Sequence, residues 1–80
     1  MEKRELNGSE VRRIRVKLNM TQEEFAVLLG MSGRQAICNV ETDLRNAGSL
    51  TQIVLRVLDS LPKRKAEELV ELMLKHGKET

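Results

Sequence analysis

The chain has 80 residues, of which 40% are hydrophobic and 32% are charged, and its formal net charge is +2. This length limits it to one domain with a modest core. Its one cysteine excludes an internal disulfide and a cysteine-rich zinc site, and no apolar run approaches the roughly 20 residues that span a membrane. Residues 1–7 are rich in charge, so no signal peptide is expected there. We therefore expect a cytoplasmic protein without a metal or cofactor.

Residues 1–7 are predicted to form a flexible arm in front of the first helix. Start signals lie in the segment 7–10, and we place the helix at about residues 9–18. Asn19 is suited to end it in a left-handed conformation. The residues expected on its buried stripe are Val11, Ile14 and Leu18.

The segment 21–30 predicts a second helix with a signal at each end. Thr21 is followed three residues later by Glu24, the spacing of a capping box in which each side chain bonds the other residue's backbone N–H. Gly30 stands where helices commonly end in a left-handed residue. The apolar residues between these signals recur at helical spacing and are Phe25, Ala26, Leu28 and Leu29.

A third helix is predicted after a turn of only three residues, 31–33. Ser32 or Gly33 would begin it, and Ile37 and Val40 are three residues apart, so they can share one buried face. So short a turn forces the second and third helices to cross steeply, which is the helix-turn-helix arrangement. The side chains that point elsewhere are short, polar or basic: Arg34, Gln35, Cys38 and Asn39.

A fourth helix is predicted at residues 50–60, after a polar loop at 42–48. Ser49 is suited to cap its beginning. The residues expected to face the core are Ile53, Val54, Val57 and Leu58.

A fifth helix is predicted to begin at Pro62, which stops the fourth helix and suits a first helical position. It should run to about His76, with Gly77 as its terminator. It carries more apolar surface than a four-helix core of about fifty residues needs as cover. We therefore expect a homodimer that uses the fourth and fifth helices. The chain would then comprise a helix-turn-helix domain at 8–61 and a dimerisation helix at 62–77. The expected interface residues are Leu69, Leu72 and Met73.

A family likeness is carried by Gln22, Glu24, Ala26, Gly30, Ser32, Ile37 and Glu41. With these residues the chain resembles the helix-turn-helix of the Cro/C1 (XRE) repressor superfamily over about residues 8–58. The resemblance implies an all-α, five-helix lambda-repressor-like fold that binds DNA. The chain has one residue more than the family pattern between Gly30 and Glu41, and we align the third helix on Glu41. Val40 and Asp43 stand where an aromatic residue and a glycine are common.

The resemblance also implies roles for three polar residues. Arg15 would pair with Glu41 and so hold the third helix against the first; Arg15 flanks the buried stripe of the first helix, where a charge needs a partner. Gln22 would contact the DNA backbone, which agrees with the affinity of helix N-termini for phosphates.

The beginning of the third helix is where such helices meet base edges in the major groove. Arg34 can pair with guanine, and Gln35 and Asn39 with adenine, while Ala36 could meet a thymine methyl group. An ordinary solvated surface is the alternative for each of these residues. Besides Gln22, the residues expected at the DNA backbone are Gly33, Arg45, Asn46 and Lys17.

The chain is therefore predicted to be a sequence-specific transcriptional regulator, a dimeric repressor that reads operator DNA. Two alternatives stay open: the antitoxin of a toxin–antitoxin pair, which would also bind a toxin, and an interaction module with no DNA role. An enzyme is not expected, because no Ser/His/Asp or Cys/His set and no glycine-rich phosphate loop is apparent.

Overall fold

The computed structural model describes residues 6–77, and over this range the chain forms five α-helices and no β-strand. This part of the fold prediction is confirmed. The helices are α1 (Gly8–Lys17), α2 (Gln22–Leu28), α3 (Arg34–Glu41), α4 (Ser49–Ser60) and α5 (Lys63–Gly77). None of the helices described is both long enough and apolar enough to cross a bilayer.

Helix α1 begins one residue earlier than predicted because Asn7 caps it. The Asn7 side chain accepts from the Glu10 backbone N–H at 2.9 Å, and the Glu10 carboxylate accepts from the Asn7 N–H at 3.0 Å. This capping box satisfies two N–H groups that a helix start leaves without partners. At the other end Asn19 has φ +60°, the left-handed conformation predicted for it.

The predicted arm at 1–7 lies outside the described residues except for Leu6 and Asn7. The Leu6 backbone N–H donates to the Gln52 side chain on α4 at 3.3 Å, and Leu6 packs against the core. These two residues therefore belong to the folded domain.

Helix α2 has the predicted signals at both ends. Thr21 and Glu24 form the capping box, with bonds of 3.1 Å and 2.9 Å. Gly30 follows the helix with φ +69°, a conformation that costs glycine little. Phe25, the single aromatic residue, is fully buried.

Helix α3 begins after Gly33, and no side chain caps it, so Ser32 does not have the capping role that we considered. Ile37 and Val40 are buried, as their spacing predicted. They face α1 and α2, the two helices on which α3 packs. The opposite side of α3 faces away from the core, and we call it the outward face of α3.

Helix α4 corrects two expectations. It begins at Ser49 after Gly48, and no side-chain bond caps it. Its fully buried residues are Leu55 and Leu58, whereas Ile53 and Val57, both predicted inward, are 57% and 44% exposed. The predictions for Leu58, which is buried, and Val54, which packs against the core, are confirmed. Apolar residues lie on two sides of this helix, so helical spacing alone did not separate these residues from Ile53 and Val57.

Helix α5 begins at Lys63, one residue later than predicted, and the carbonyl of Pro62 accepts from the Ala66 N–H at 2.9 Å. The helix includes Gly77, which we had expected to stand just beyond its end. Ala66 and Val70 are buried where α5 packs on α2 and α4.

The hydrophobic core is aliphatic apart from Phe25. Its buried residues are Val11, Ile14, Leu18, Phe25, Ala26, Leu28, Ile37, Val40, Leu55, Leu58, Ala66 and Val70.

Candidate nucleic-acid interface

The carboxyl end of α3 is held by a nearly buried polar cluster around Glu41. Its carboxylate accepts from Arg15 Nε at 2.6 Å and from Arg15 Nη2 at 3.3 Å, so the ion pair expected between these residues is present. The side chains of Arg15 and Glu41 are only 13% and 5% exposed. A charge pair in such a site is tolerable only when its remaining polar groups are also bonded.

Two further bonds complete this cluster. Gln22 Nε2 donates to Glu41 Oε1 at 3.1 Å, and Arg15 Nη1 donates to the backbone oxygen of Met20 at 2.9 Å. The cluster thus joins the start of α2 and the last turn of α1 to the last residue of α3. Gln22, which we expected at the DNA backbone, donates one of its amide N–H groups to Glu41.

A second contact holds α3 at the beginning of α1. Gly8 is buried, and its N–H donates to Asp43 Oδ1 at 2.7 Å. A Cβ atom at Gly8 would lie 2.8 Å from the backbone oxygen of Val40 and closer still to the carbonyl group of Glu41. Asp43 itself has φ +65°. Sequence reasoning treated Gly8 only as a helix-start signal, because nothing local reveals a contact with α3.

The outward face of α3 carries the residues predicted to read bases. Arg34 and Gln35 are exposed, and Asn39 is half-buried one turn further along. Gln35 Nε2 donates to Asn39 Oδ1 at 3.0 Å. The two amides therefore form one polar pair, and they lie on the side of the helix opposite Ile37 and Val40.

The turn before α3 and the loop after it meet at a cleft of about 250 Å³, which Ser32, Ala36, Arg45 and Asn46 help to line. The backbone N–H groups of residues 44 and 45 donate to the oxygen of Asn39 at 2.8 and 3.2 Å, so the loop is bonded to α3. Ala36 thus faces this cleft rather than the centre of the outward face.

Gly33 immediately precedes the first residue of α3. No atom outside its own chain neighbours lies within 4 Å of where its Cβ would be. The space beside the start of α3 is therefore open.

Two basic residues of α1, Arg13 and Lys17, share one carboxylate of α4. Arg13 donates two bonds of 3.0 Å to the carboxylate of Asp59 on α4. Lys17 Nζ donates to the Asp59 backbone oxygen at 3.0 Å and lies 3.6 Å from its carboxylate. The hydrogen bond from Arg13, above all, holds the pKa of Asp59 below its ordinary value of 3.8. Lys17, expected at the DNA backbone, is thus bonded to α4.

Arg34 and Arg45 differ from Arg13, Arg15 and Lys17. Both are exposed, and neither forms an ion pair with another residue of the range 6–77. They lie at the start of α3 and in the loop after it. These two segments therefore carry positive charge that no ion pair of the described residues neutralises.

Only one of the three α5 residues expected at a dimer interface is largely exposed and so free to contact a second copy. Leu69 and Met73 are partly buried against the core, and Leu72 is 51% exposed. Within residues 6–77 no group of three His, Cys, Asp or Glu side chains is placed to hold a metal ion.

Comparison of the chain with models of protein families, with curated proteins and with solved structures gives no match. The function of the protein is therefore inferred from the geometry of α3 and its surroundings.

Proposed function

We propose that this protein is a sequence-specific DNA-binding regulator that lays α3 in the major groove and represses transcription as a dimer, in the manner of the Cro/C1 (XRE) helix-turn-helix proteins and their lambda-repressor-like fold. The observation that carries the proposal is the outward face of α3. Arg34, Gln35 and Asn39 lie there, while Ile37 and Val40 bind the same helix to the core.

These side chains have the hydrogen-bonding groups that base edges require. An arginine fork matches the two acceptors of guanine, and a side-chain amide matches the acceptor and donor of adenine. Gln35 and Asn39 are four residues apart, which is about 6 Å along a helix. That distance is close to the separation of two base-pair steps, each about 3.4 Å, so the paired amides suit two base pairs that have one base pair between them.

A reading helix has to be held firmly by the rest of the domain, since its side chains must meet base edges to within a fraction of an ångström. The Arg15–Glu41 pair and the contact of Gly8 with α3 supply that support from α1. Both contacts are at the carboxyl end of α3. The amino-terminal end, with Arg34, is left free to enter a groove.

The surroundings of α3 suit the phosphate backbone. Gly33 leaves open space at the helix start, and Arg45 and Asn46 line the cleft beside Ser32 and Ala36. Contacts of this kind set the position of a protein on the duplex without reading sequence. One such helix reads about one half-site, and two copies related by a two-fold axis read a palindrome with half-sites about 34 Å apart.

The class of function is tested by binding to a labelled duplex of random sequence over a series of salt concentrations. We expect the logarithm of the association constant to fall linearly and steeply with the logarithm of salt concentration, because phosphate contacts release counterions. An interaction module with no DNA role would show no such binding, and that result would refute the proposal.

The role of α3 is tested with a sequence selected from a random DNA pool. Arg34→Ala should cost about 1–3 kcal/mol, roughly a 5- to 150-fold loss of affinity, and relax the preference at one base pair. Arg64→Ala, which removes an equally exposed arginine from α5, serves as the matched control and should bind like the wild type. Equal losses of Arg34→Ala on selected and random DNA would make Arg34 a phosphate contact instead.

A further inference from the structure

Helix α4 presents an apolar stripe that the fold does not cover. Leu50, Ile53 and Val57 are 74%, 57% and 44% exposed. Their spacing of three and four residues places them on one side of the helix. The buried residues Leu55 and Leu58 lie on roughly the opposite side. We name the three exposed residues the α4 face.

The α4 face is an unusual concentration of exposed apolar side chains. Leu44, in the loop that leads into α4, is a further 75% exposed. Four of the seven large hydrophobic residues that the described chain exposes thus lie between Leu44 and Val57. Exposed apolar side chains grouped on one side of a helix are candidates for an interaction site.

We propose that the α4 face is the two-fold interface with a second copy of this chain, formed by antiparallel packing of the two α4 helices. Dimerisation through the α4 face does not itself require DNA binding; only its role in DNA reading rests on the proposed function. The proposal deepens that function by naming the surface that joins the two DNA-reading domains.

The order of residues along the α4 face favours a second copy as its occupant. Leu50 and Val57 lie at nearly equal distances on either side of Ile53. In an antiparallel pair Leu50 of one copy meets Val57 of the other, and the two Ile53 side chains meet at the axis. Such a surface is complementary to itself, which is the requirement for a closed two-fold dimer. The spacing is also that of the apolar seam between paired helices.

Charge favours the same occupant. The stripe contains no ionised residue, so two copies can meet along it without removing a charge from water. Arg56, at its edge, is exposed and can keep its guanidinium in solvent while its stem covers apolar surface. The one acidic residue of α4, Asp59, is already bonded to Arg13 and Lys17.

The area of the two α4 faces can be compared with the area that a standard protein–protein interface buries, of which it would form the apolar centre. Burying an aliphatic side chain removes roughly 60–120 Å² of apolar surface from water, so the two α4 faces together supply an apolar core of roughly 400 Å². A standard interface buries about 1,600 Å² in total, with an apolar core inside a polar rim.

Helix α5 is the less suitable surface. Leu72 is its one exposed large hydrophobic residue within the described chain. Its helical neighbours at four residues on either side are Glu68 and His76, and Lys75 follows three residues later. Leu69 and Met73 are already partly used by the core. Symmetric packing there would bring charged groups into the interface.

The test compares two full-length variants with the wild type by sedimentation equilibrium over a range of protein concentrations. Ile53→Glu should weaken self-association roughly 100-fold or more, since two carboxylates would enter the interface in place of two apolar groups. Leu72→Glu, the same change at a residue of similar exposure on α5, should associate like the wild type. Circular dichroism establishes that each variant is folded, and Val57→Gln replaces Ile53→Glu if the latter is not.

The outcomes separate this inference from the proposed function. A monomeric wild type, or an Ile53→Glu variant that still dimerises, would overturn the α4 face as the interface, and dissociation by Leu72→Glu would assign it to α5. A duplex carrying one half-site should bind Ile53→Glu as it binds the wild type, whereas a palindromic duplex should bind the variant more weakly. Dimerisation through α4 without any DNA binding would refute the function alone.

Discussion

The close approach of α1 to the carboxyl end of α3 makes Gly8→Ala a direct test of how α3 is positioned. The added Cβ would lie 2.5 Å from the carbonyl carbon of Glu41 and 2.8 Å from the backbone oxygen of Val40. These atoms are all backbone, so no side-chain rotation can relieve the overlap. Helix α1 would have to move away from α3, which would lengthen the bond from Gly8 N–H to Asp43 and strain the Arg15–Glu41 pair.

The magnitude follows from two opposing effects. Overpacking typically costs about 1–3 kcal/mol, and the upper end applies here because the obstructing atoms cannot turn aside. Alanine is favoured over glycine within helices by up to about 1 kcal/mol, and this gain is smaller at a first helical position. We expect a net loss of about 2 kcal/mol, which lowers the melting temperature of a domain this size by about 8–16 °C.

Urea unfolding followed by circular dichroism measures this loss. Gly33→Ala is the matched control, because nothing lies within 4 Å of its Cβ and its φ of 165° is accessible to any residue. Its stability should change by less than about 1 kcal/mol, since a less suitable N-cap and a less flexible unfolded chain act in opposite directions. If Gly8→Ala were as stable as Gly33→Ala, the close contact between α1 and α3 would be disproved.

Two further predictions concern the charged groups. Glu41→Gln should lower the free energy of unfolding by about 3–5 kcal/mol, because it leaves the Arg15 guanidinium without its counter-charge in a nearly buried site; adding Arg15→Met should restore part of the loss in urea unfolding. Asp59→Asn should reduce the dependence of the free energy of unfolding on pH in the acidic range. The lowered pKa of Asp59 means that its carboxylate stabilises the fold above the ordinary value of 3.8, and that this contribution disappears as pH falls through the lower folded value.

Each of these predictions has a result that would contradict it. A cost below about 1 kcal/mol for Glu41→Gln would show that the pair behaves like a solvated surface pair. For Asp59→Asn, the difference from wild type in the free energy of unfolding should shrink steadily towards strongly acidic pH. A difference that stays constant with pH would mean that Arg13 does not perturb Asp59.

The helix boundaries were largely predictable because their causes are local. The capping box of Thr21 and Glu24 involves residues three apart, and the left-handed turns at Asn19 and Gly30 depend on a single residue type. The errors at the other boundaries are of one residue. They arise where alternative caps stand side by side, as at Asn7, or where the structure forms no side-chain cap, as before α4.

The candidate site was predictable in part. The opposite placement of Ile37 and Gln35 follows from helical geometry, and the structure has this arrangement. The pairing of Gln35 with Asn39, and the bond from Gln22 to Glu41, could not be read from spacing. Either side chain of each pair can equally bond to water, and only the folded backbone determines which partner lies within reach.

The sequence by itself determined where this chain forms helices, how α2 is capped and which sides of α2 and α3 are apolar. Only the tertiary structure decided the core face of α4, because that helix is apolar on two sides and its neighbours select Leu55 over Ile53. The same holds for Gly8, whose contact with Glu41 brings together residues far apart in the chain. Local free energies can specify an element, but the choice between two equally apolar faces depends on the packing of all five helices at once.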